Sequence, residues 1–324
     1  MSTDGKGLRI IKPGFLTLLQ DAGRSGVMHQ GLACGGPMDR HAWAWANRLV
    51  GNPWNTTTLE ISFGGLECVA DVPLQICVTG ARLPLALNGR PQPLWSTLQL
   101  NPGDCLTLGH PTSGVRSYLS VQGGFVLESG PGGSHATLVR EGTGGLKGDG
   151  RPLQAGDCLP CRKTADQGAQ RQIPDQWLPD YDAELVLDVI LGAQVDRFPA
   201  TSLDCFFRGL YRLTPQSDRM GARLSGPALA HNANQLISEG ISLGAVQIPP
   251  DGQPIILLQD RQTIGGYPKL GAVTPRSLDA LAQRMPGRDI RFRSIALYEA
   301  QLQETRFLGF FQSSAPFKGN PHTG

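Results

Sequence analysis

Charge, aromatic rings and long apolar runs are all scarce in this 324-residue chain. Charged residues make up 17% of it and aromatics 6%. The formal net charge is only +2, too little for an electrostatic footprint on nucleic acid or on an anionic membrane surface. No apolar run approaches the roughly 20 residues that span a bilayer. The start, Met1-Ser2-Thr3-Asp4-Gly5-Lys6-Gly7, lacks the apolar core of a secretory signal. The expected location is therefore the cytoplasm. The seven cysteines are scattered and odd in number, which fits reduced thiols better than a disulfide framework. Cys158-Leu159-Pro160-Cys161 has no second pair and no nearby histidine, so no metal is expected. The Gly-x-x-x-x-Gly-Lys-Ser/Thr phosphate loop, the Gly-x-Ser-x-Gly nucleophile elbow and His-Glu-x-x-His are all missing. No lysine lies between two methionines, so covalent biotin is not expected on this chain.

Turn chemistry is abundant instead. The 42 glycines and 25 prolines are about a fifth of the chain, so turns are many and long helices few. Short apolar runs alternate with turn signals from 58 to 125: Leu59-Glu60-Ile61-Ser62-Phe63 before Gly64-Gly65, Gln75-Ile76-Cys77-Val78-Thr79 before Gly80, and Leu85-Ala86-Leu87 before Asn88-Gly89. Such spacing favours an all-β barrel or sandwich. Asn88-Gly89 is a two-residue hairpin signal. One helix is expected at about 37–50, with Pro37 and Asp39 at its start and Gly51 then Pro53 stopping it. Others are expected over Ser277–Met285 and about Ile295–Phe307. Residues 128–150 are glycine-rich and read as a long loop. The expected layout is an N-terminal barrel over 1–165, a polar linker over 166–182, a C-terminal barrel over 183–313 and a disordered tail over 314–324.

Four clusters carry candidate chemistry. Gln20, Asp21 and Arg24 follow an apolar strand. They fit either an ion pair that fixes the loop, or a base beside an anion-binding fork. Gly35-Gly36-Pro37-Met38-Asp39 opens the first helix, where free N–H groups favour an anion unless Asp39 already satisfies them. Arg219 beside Asp218 is either a structural pair or a carboxylate clamp. The fourth cluster is a strand–turn–strand unit, Gly244–Ile248 and Pro254–Leu258 around Pro249-Pro250-Asp251-Gly252. It is flanked by Glu239, Gln247, Asp260, Thr263, Gly265, Gly266 and Tyr267. Its bland reading is a hairpin with a polar end. There is also an echo between Leu18-Leu19-Gln20-Asp21 with Arg24 and Leu257-Leu258-Gln259-Asp260 with Arg261, which hints at two related halves.

Several motifs carry a family resemblance. They include Gln20-Asp21-Ala22-Gly23-Arg24-Ser25-Gly26, Gly36-Pro37-Met38-Asp39, Ala46-Asn47-Arg48-Leu49-Val50-Gly51-Asn52, Leu59-Glu60-Ile61 and Tyr118-Leu119-Ser120-Val121-Gln122-Gly123-Gly124. The second half adds Ser217-Asp218-Arg219-Met220-Gly221, Ser238-Glu239-Gly240, Gly244-Ala245-Val246-Gln247-Ile248-Pro249 and Gly265-Gly266-Tyr267-Pro268. On these residues the chain resembles the bacterial allophanate hydrolase subunit 2, or biotin-dependent carboxyltransferase-like, family. The resemblance implies a mainly β protein of two cyclophilin-like β-barrel domains with a few short helices. It implies an ATP-dependent amidohydrolase subunit of the 5-oxoprolinase type, opening 5-oxoproline to glutamate and inactive alone. It also implies two partners, a B-type carboxyltransferase-like chain and a LamB/YcsF-type chain, the A component. ATP would be bound by this chain or shared with a partner. Carried over, Asp21, Arg24, Arg219, Glu239 and Asp260 become catalytic candidates. Gln20, Met38, Asp39, Gln247, Thr263, Gly265, Gly266 and Tyr267 become substrate-binding candidates. Three positions depart from the family pattern: Ala136, Ala222 and Ile264 each lack a hydroxyl usual there. Two other readings fit the same residues. One is a carboxyltransferase half acting on urea or a related amide with carboxybiotin. The other is a non-enzymatic regulator that binds a kinase inhibitor.

Overall fold

A computed structural model describes residues 6–162, 170–232 and 236–313 of the chain. The 314–324 tail lies outside the described residues. The chain divides into two compact units. The first holds residues up to Ser25, then Gly35–Tyr181, then the stretch from Phe310. The second holds Gly26–Cys34 and Asp182–Gly309. Among the described residues, no helix is long and apolar enough to cross a membrane.

Two sheets build the first unit. A six-stranded sheet runs Cys158–Pro160, Gly7–Pro13, Leu66–Ala70, Cys105–Leu108, Leu85–Leu87, Arg90–Pro91. A five-stranded sheet runs Leu16–Gln20, Thr58–Ser62, Ser113–Val121, Leu74–Arg82, Thr97–Leu100. Alternate residues of each strand point the same way. Leu8 and Ile10, Leu66 and Cys68, Leu59 and Ile61, and Ile76 and Val78 therefore meet in one shared core. The Asn88-Gly89 turn takes positive φ at both residues, 51° and 76°, and pairs Leu87 with Arg90 as expected.

The outer face of the five-stranded sheet is covered by α1, Arg40–Leu49. It starts at Asp39, whose carboxylate accepts from Ala42 N at 2.9 Å. Thr79 Oγ1 in the sheet donates to Ala42 O. Trp45 lies against Phe310 and Phe311, with ring centroids 5.4 and 5.3 Å away. Asn47 and Asn52 fasten the end of α1. Asn47 Oδ1 accepts from Ser120 Oγ and from Asn52 Nδ2. Asn52 in turn accepts from Gly123 N at 2.7 Å.

The second unit is a closed barrel. Its order is Leu185–Leu191, Lys269–Val273, Ala245–Gln247, Ile255–Leu257, Gly221–Ser225, Tyr211–Leu213, Asp289–Ser294. The closing pair, Leu185–Leu191 with Asp289–Ser294, is parallel. Leu187, Val189, Val246, Ile256 and Ile290 are fully buried in it. Helix α2, Ala200–Arg208, packs Phe206 face to face on Phe292 at 4.1 Å. It has no Ser, Thr, Asp or Asn cap, only Pro199, so no start signal marks it in the sequence. Helix α3, Pro275–Leu281, is capped by Thr274. Helix α4 spans Leu297–Gln312 and so runs past the expected Phe307.

Residues 170–181, read from the sequence as part of a linker, belong to the first unit. Their polar composition hides a paired backbone. Arg171 N donates to Thr97 Oγ1 at 2.9 Å, Arg171 Nη1 donates to Leu49 O, and Ile173 is buried.

Gly80 marks a point of close approach. It sits at φ 92° opposite Ser117, where the pairing shifts register. A Cβ there would lie 2.3 Å from Arg116 O. Gly80→Ala is expected to cost about 3 kcal/mol. The check is a urea unfolding curve: the midpoint should drop with the m-value unchanged, and an unmoved midpoint would contradict the close packing.

Candidate functional site

The sequence candidates fall into two clusters, one in each unit. In the first unit, Asp21 follows strand Leu16–Gln20 and is almost fully buried. Its Oδ1 accepts from Gly23 N and from Ser134 Oγ at 2.6 Å. Its Oδ2 accepts from His135 N at 2.6 Å, with His135 Nδ1 3.6 Å away. Burial pushes this carboxyl up, but the donors from His135, Ser134 and Gly23 outweigh it and hold it below the ordinary value. Both oxygens are therefore committed to anchoring the 134–135 loop. Gln20 works the same way: Nε2 donates to Thr137 O and Oε1 accepts from Gly36 N. Arg24 is buried and donates to Ala136 O at 2.7 Å.

Met38 and Asp39 belong to the same frame. Met38 N donates to Glu60 Oε2 at 2.8 Å, and Tyr118 Oη donates to that oxygen at 2.7 Å. Asp39 N donates to Tyr118 Oη. Burial first, then the nearby Glu60 and Asp39 charges, pushes the Tyr118 phenol well above its usual value. It stays a neutral donor. Glu60 and Tyr118 carry this network, and the sequence reading gave neither a role. Their signal was a charged and a hydroxylated residue inside strongly apolar strands. The N-terminus of α1, a candidate anion site, is already filled by Asp39, so it offers no cradle for a phosphate.

In the second unit, Arg219 Nε and Nη2 clamp Asp260 Oδ2 and Oδ1 at 2.8 and 2.9 Å. Backbone bonds reinforce the pair: Asp260 N donates to Arg219 O and Leu258 N to Met220 O. The clamp is internal. Glu239 is half-exposed and pairs with Lys269 Nζ, while Gln194 Nε2 donates to it. Its hydrogen bond with Lys269 holds the Glu239 carboxyl below the ordinary value. Glu239-Gly240 pairs with Ile264-Gly265 as a two-stranded ribbon. Ile241 N is bonded to Thr263 O at its base. The ribbon approaches the barrel closely: a Cβ on Gly265 would lie 2.6 Å from Ile241 Cδ1 and 3.0 Å from Gln247 Nε2. Gly266 has Leu236 O beside it in the same sense. Arg261 is buried and donates to Ile241 O and Leu258 O, much as Arg24 serves Ala136 O.

Gln247 and Tyr267 meet at a cleft of about 730 Å³ on the barrel's outer face. Thr214, Asp218, Arg223 and Gln253 also line it. Arg223 and Thr214 were not sequence candidates. Only the strand register brings them there. Among the described residues no group of three His, Cys, Asp or Glu is placed to hold a metal. Cys158 and Cys161 are free thiols raised by burial, Cys161 to about 12.

Two outcomes follow. Asp21→Asn is expected to cost about 2 kcal/mol at pH 7. Asp21's folded value is depressed, so its charge stabilises the fold above the ordinary value near 3.9 and ceases to as pH falls below it. The gap between wild type and Asp21→Asn in denaturant titrations should therefore shrink below about pH 4. A gap independent of pH would falsify the charge-assisted anchor. For the second cluster, Asp260→Ala alone should cost about 3–5 kcal/mol by stranding Arg219, while Arg219→Met with Asp260→Leu should recover most of it. Additive losses in that cycle would sink the clamp.

Comparison with known proteins bears on the whole chain. The model of the carboxyltransferase domain, subdomain A and B, matches residues 30–294. The C subunit of 5-oxoprolinase from Escherichia coli (strain K12) is 36% identical over 90% of this chain and 93% of its own length. The C subunit of the Haemophilus influenzae 5-oxoprolinase is 36% identical over 87% of this chain and 89% of its own. The crystal structure of the K. lactis urea amidolyase superposes with a TM-score of 0.86 at 26% identity. It covers 97% of this chain and 20% of that one. On the match over 30–294 and the identity to both bacterial proteins, the chain belongs to the carboxyltransferase domain, subdomain A and B, family.

Proposed function

We infer that this chain is the C-type subunit of a 5-oxoprolinase, working in a complex that opens 5-oxoproline to glutamate with ATP. The observation that carries this is 36% identity along nine-tenths of the chain to a protein of that name. The partners are a B-type carboxyltransferase-like chain and a LamB/YcsF-type chain, and this chain is inactive without them. A five-membered lactam is a poor electrophile, and phosphorylation of its oxygen makes that oxygen a leaving group. ATP supplies that activation. The filled start of α1 and the missing phosphate loop favour a nucleotide site on a partner.

The roles of the candidates divide by exposure. Gln20, Asp21, Arg24, Met38 and Asp39 act as positioning residues, because their polar atoms hold one another. Arg219 and Asp260 position the ribbon-bearing loop. The groups left to meet a ligand are Gln247, Thr263 and Tyr267, with Glu239 at the ribbon edge as the proton carrier.

A second reading, a carboxyltransferase half acting on urea or a related amide, draws on the superposition with the urea amidolyase. Co-expression with both partner chains separates the two. The expected result is 5-oxoproline-dependent ADP release that needs all three chains. A stable complex that ignores 5-oxoproline but carboxylates urea with carboxybiotin would establish the second reading instead.

A further inference from the structure

The barrel register places four residues in one row. Val246 pairs with Ile256, which pairs with Ala222, and all three are buried in the barrel. Their neighbours Gln247, Ile255 and Arg223 pair in the same order and so face the opposite side. Thr214 N donates to Arg223 O, which extends the row by one strand. Thr214, Arg223, Ile255 and Gln247 thus cross the outer face side by side, and all four line the 730 Å³ cleft. Gly221, one step along the same face, leaves room, since a Cβ there would lie 3.1 Å from Ile255 Cγ2.

Two polar atoms in this row are buried without a partner among the described residues: Gln247 Nε2 and Thr214 Oγ1. Gln247 is only 2% exposed. A buried amide donor left unsatisfied costs about 1–3 kcal/mol, so it calls for an acceptor oxygen from outside the chain. Arg223 forms no ion pair among the described residues and sits two strand spacings from Gln247, about 9.5 Å at the backbone. The nearby carboxylates, Asp218 and Asp251, are turned to backbone donors: Met220 N and Gly221 N for one, Gln253 N for the other. Arg223 is therefore the cation of the lining, and its planar fork suits a carboxylate.

We propose that this cleft binds a small carboxylated amide, with Gln247 donating to the amide oxygen and Arg223 taking the carboxylate. Ile255 and Leu257 supply the apolar floor under the ligand's carbon skeleton. Gly265 is part of the same design, because any side chain there would push into the Gln247 amide. Taking 5-oxoproline as the occupant rests on the function proposed above; the cleft chemistry does not.

The test uses the full chain and the reconstituted complex, titrated with 5-oxoproline and with N-acetylglycine. Gln247→Leu and Arg223→Ala should each weaken binding at least tenfold. In the complex they should raise KM by a similar factor with kcat little changed. Gln247→Leu should keep or raise Tm, because it removes an unsatisfied polar atom. Unchanged affinity and KM in both variants would overturn the cleft assignment, as would no binding of either probe by chain or complex. A Tm several degrees lower for Gln247→Leu would overturn it too, since the amide would then have a partner. Binding of N-acetylglycine that both variants weaken, with no turnover of 5-oxoproline by the wild-type complex, would support the cleft and remove the oxoprolinase reading.

Discussion

Removing a carboxylate from water costs several kcal/mol unless donors replace the lost hydration. That constraint organises both units of this protein. Asp21, Asp39, Glu60 and Asp260 are all buried or nearly so. Each is answered by donors from a different stretch of chain. Asp21 binds the 134–135 loop to the end of strand Leu16–Gln20. Glu60 binds the approach to α1 to strand Thr58–Ser62, with Tyr118 reaching in from the neighbouring strand. Asp260 binds the loop before strand Gly221–Ser225 to the loop after Ile255–Leu257. The apolar core could tolerate many substitutions of similar volume. These carboxylates could not be exchanged alone, because each would strand buried donors.

Catalytic-looking clusters are therefore largely structural. Charged residues at loop ends resemble acid–base machinery in a sequence, since both need a carboxylate beside an arginine. The difference lies in what the lone pairs already accept. Asp21 and Asp260 have theirs filled from within the fold. Gln247 is the reverse case. It reads as an ordinary polar residue at a strand end, yet its amide is buried with no partner among the described residues. A stable fold carries such a cost where something else meets the group.

Membership of the carboxyltransferase domain, subdomain A and B, family fits this division. The motifs shared along the chain are mostly those that fasten loops and helix ends: Asn47 and Asn52 behind α1, Tyr118 and Glu60 before it, Arg219 and Asp260 beside the barrel. Such a frame holds steady while the groups lining an outer cleft change. That arrangement suits one fold serving relatives named for different amide-type substrates.

The pattern of short apolar runs and turn residues was enough to read a mainly β chain, the Asn88-Gly89 hairpin, the strand–turn–strand unit around Asp251 and three of the four α-helices among the described residues. Those features rest on local chemistry: period-two burial, positive φ at glycine and asparagine, and caps such as Asp39 and Thr274. Helix α2 escaped because Pro199 is not a capping side chain, and its packing on Phe292 is a tertiary contact. Residues 170–181 looked like a linker because polar composition says nothing about where a backbone finds its partners. The row of Thr214, Arg223, Ile255 and Gln247 draws on separate stretches of sequence and exists only through barrel register. Local periodicity determines which residues of a strand share a face. Which strands lie side by side, and so which side chains share a cleft, is decided only when the barrel closes.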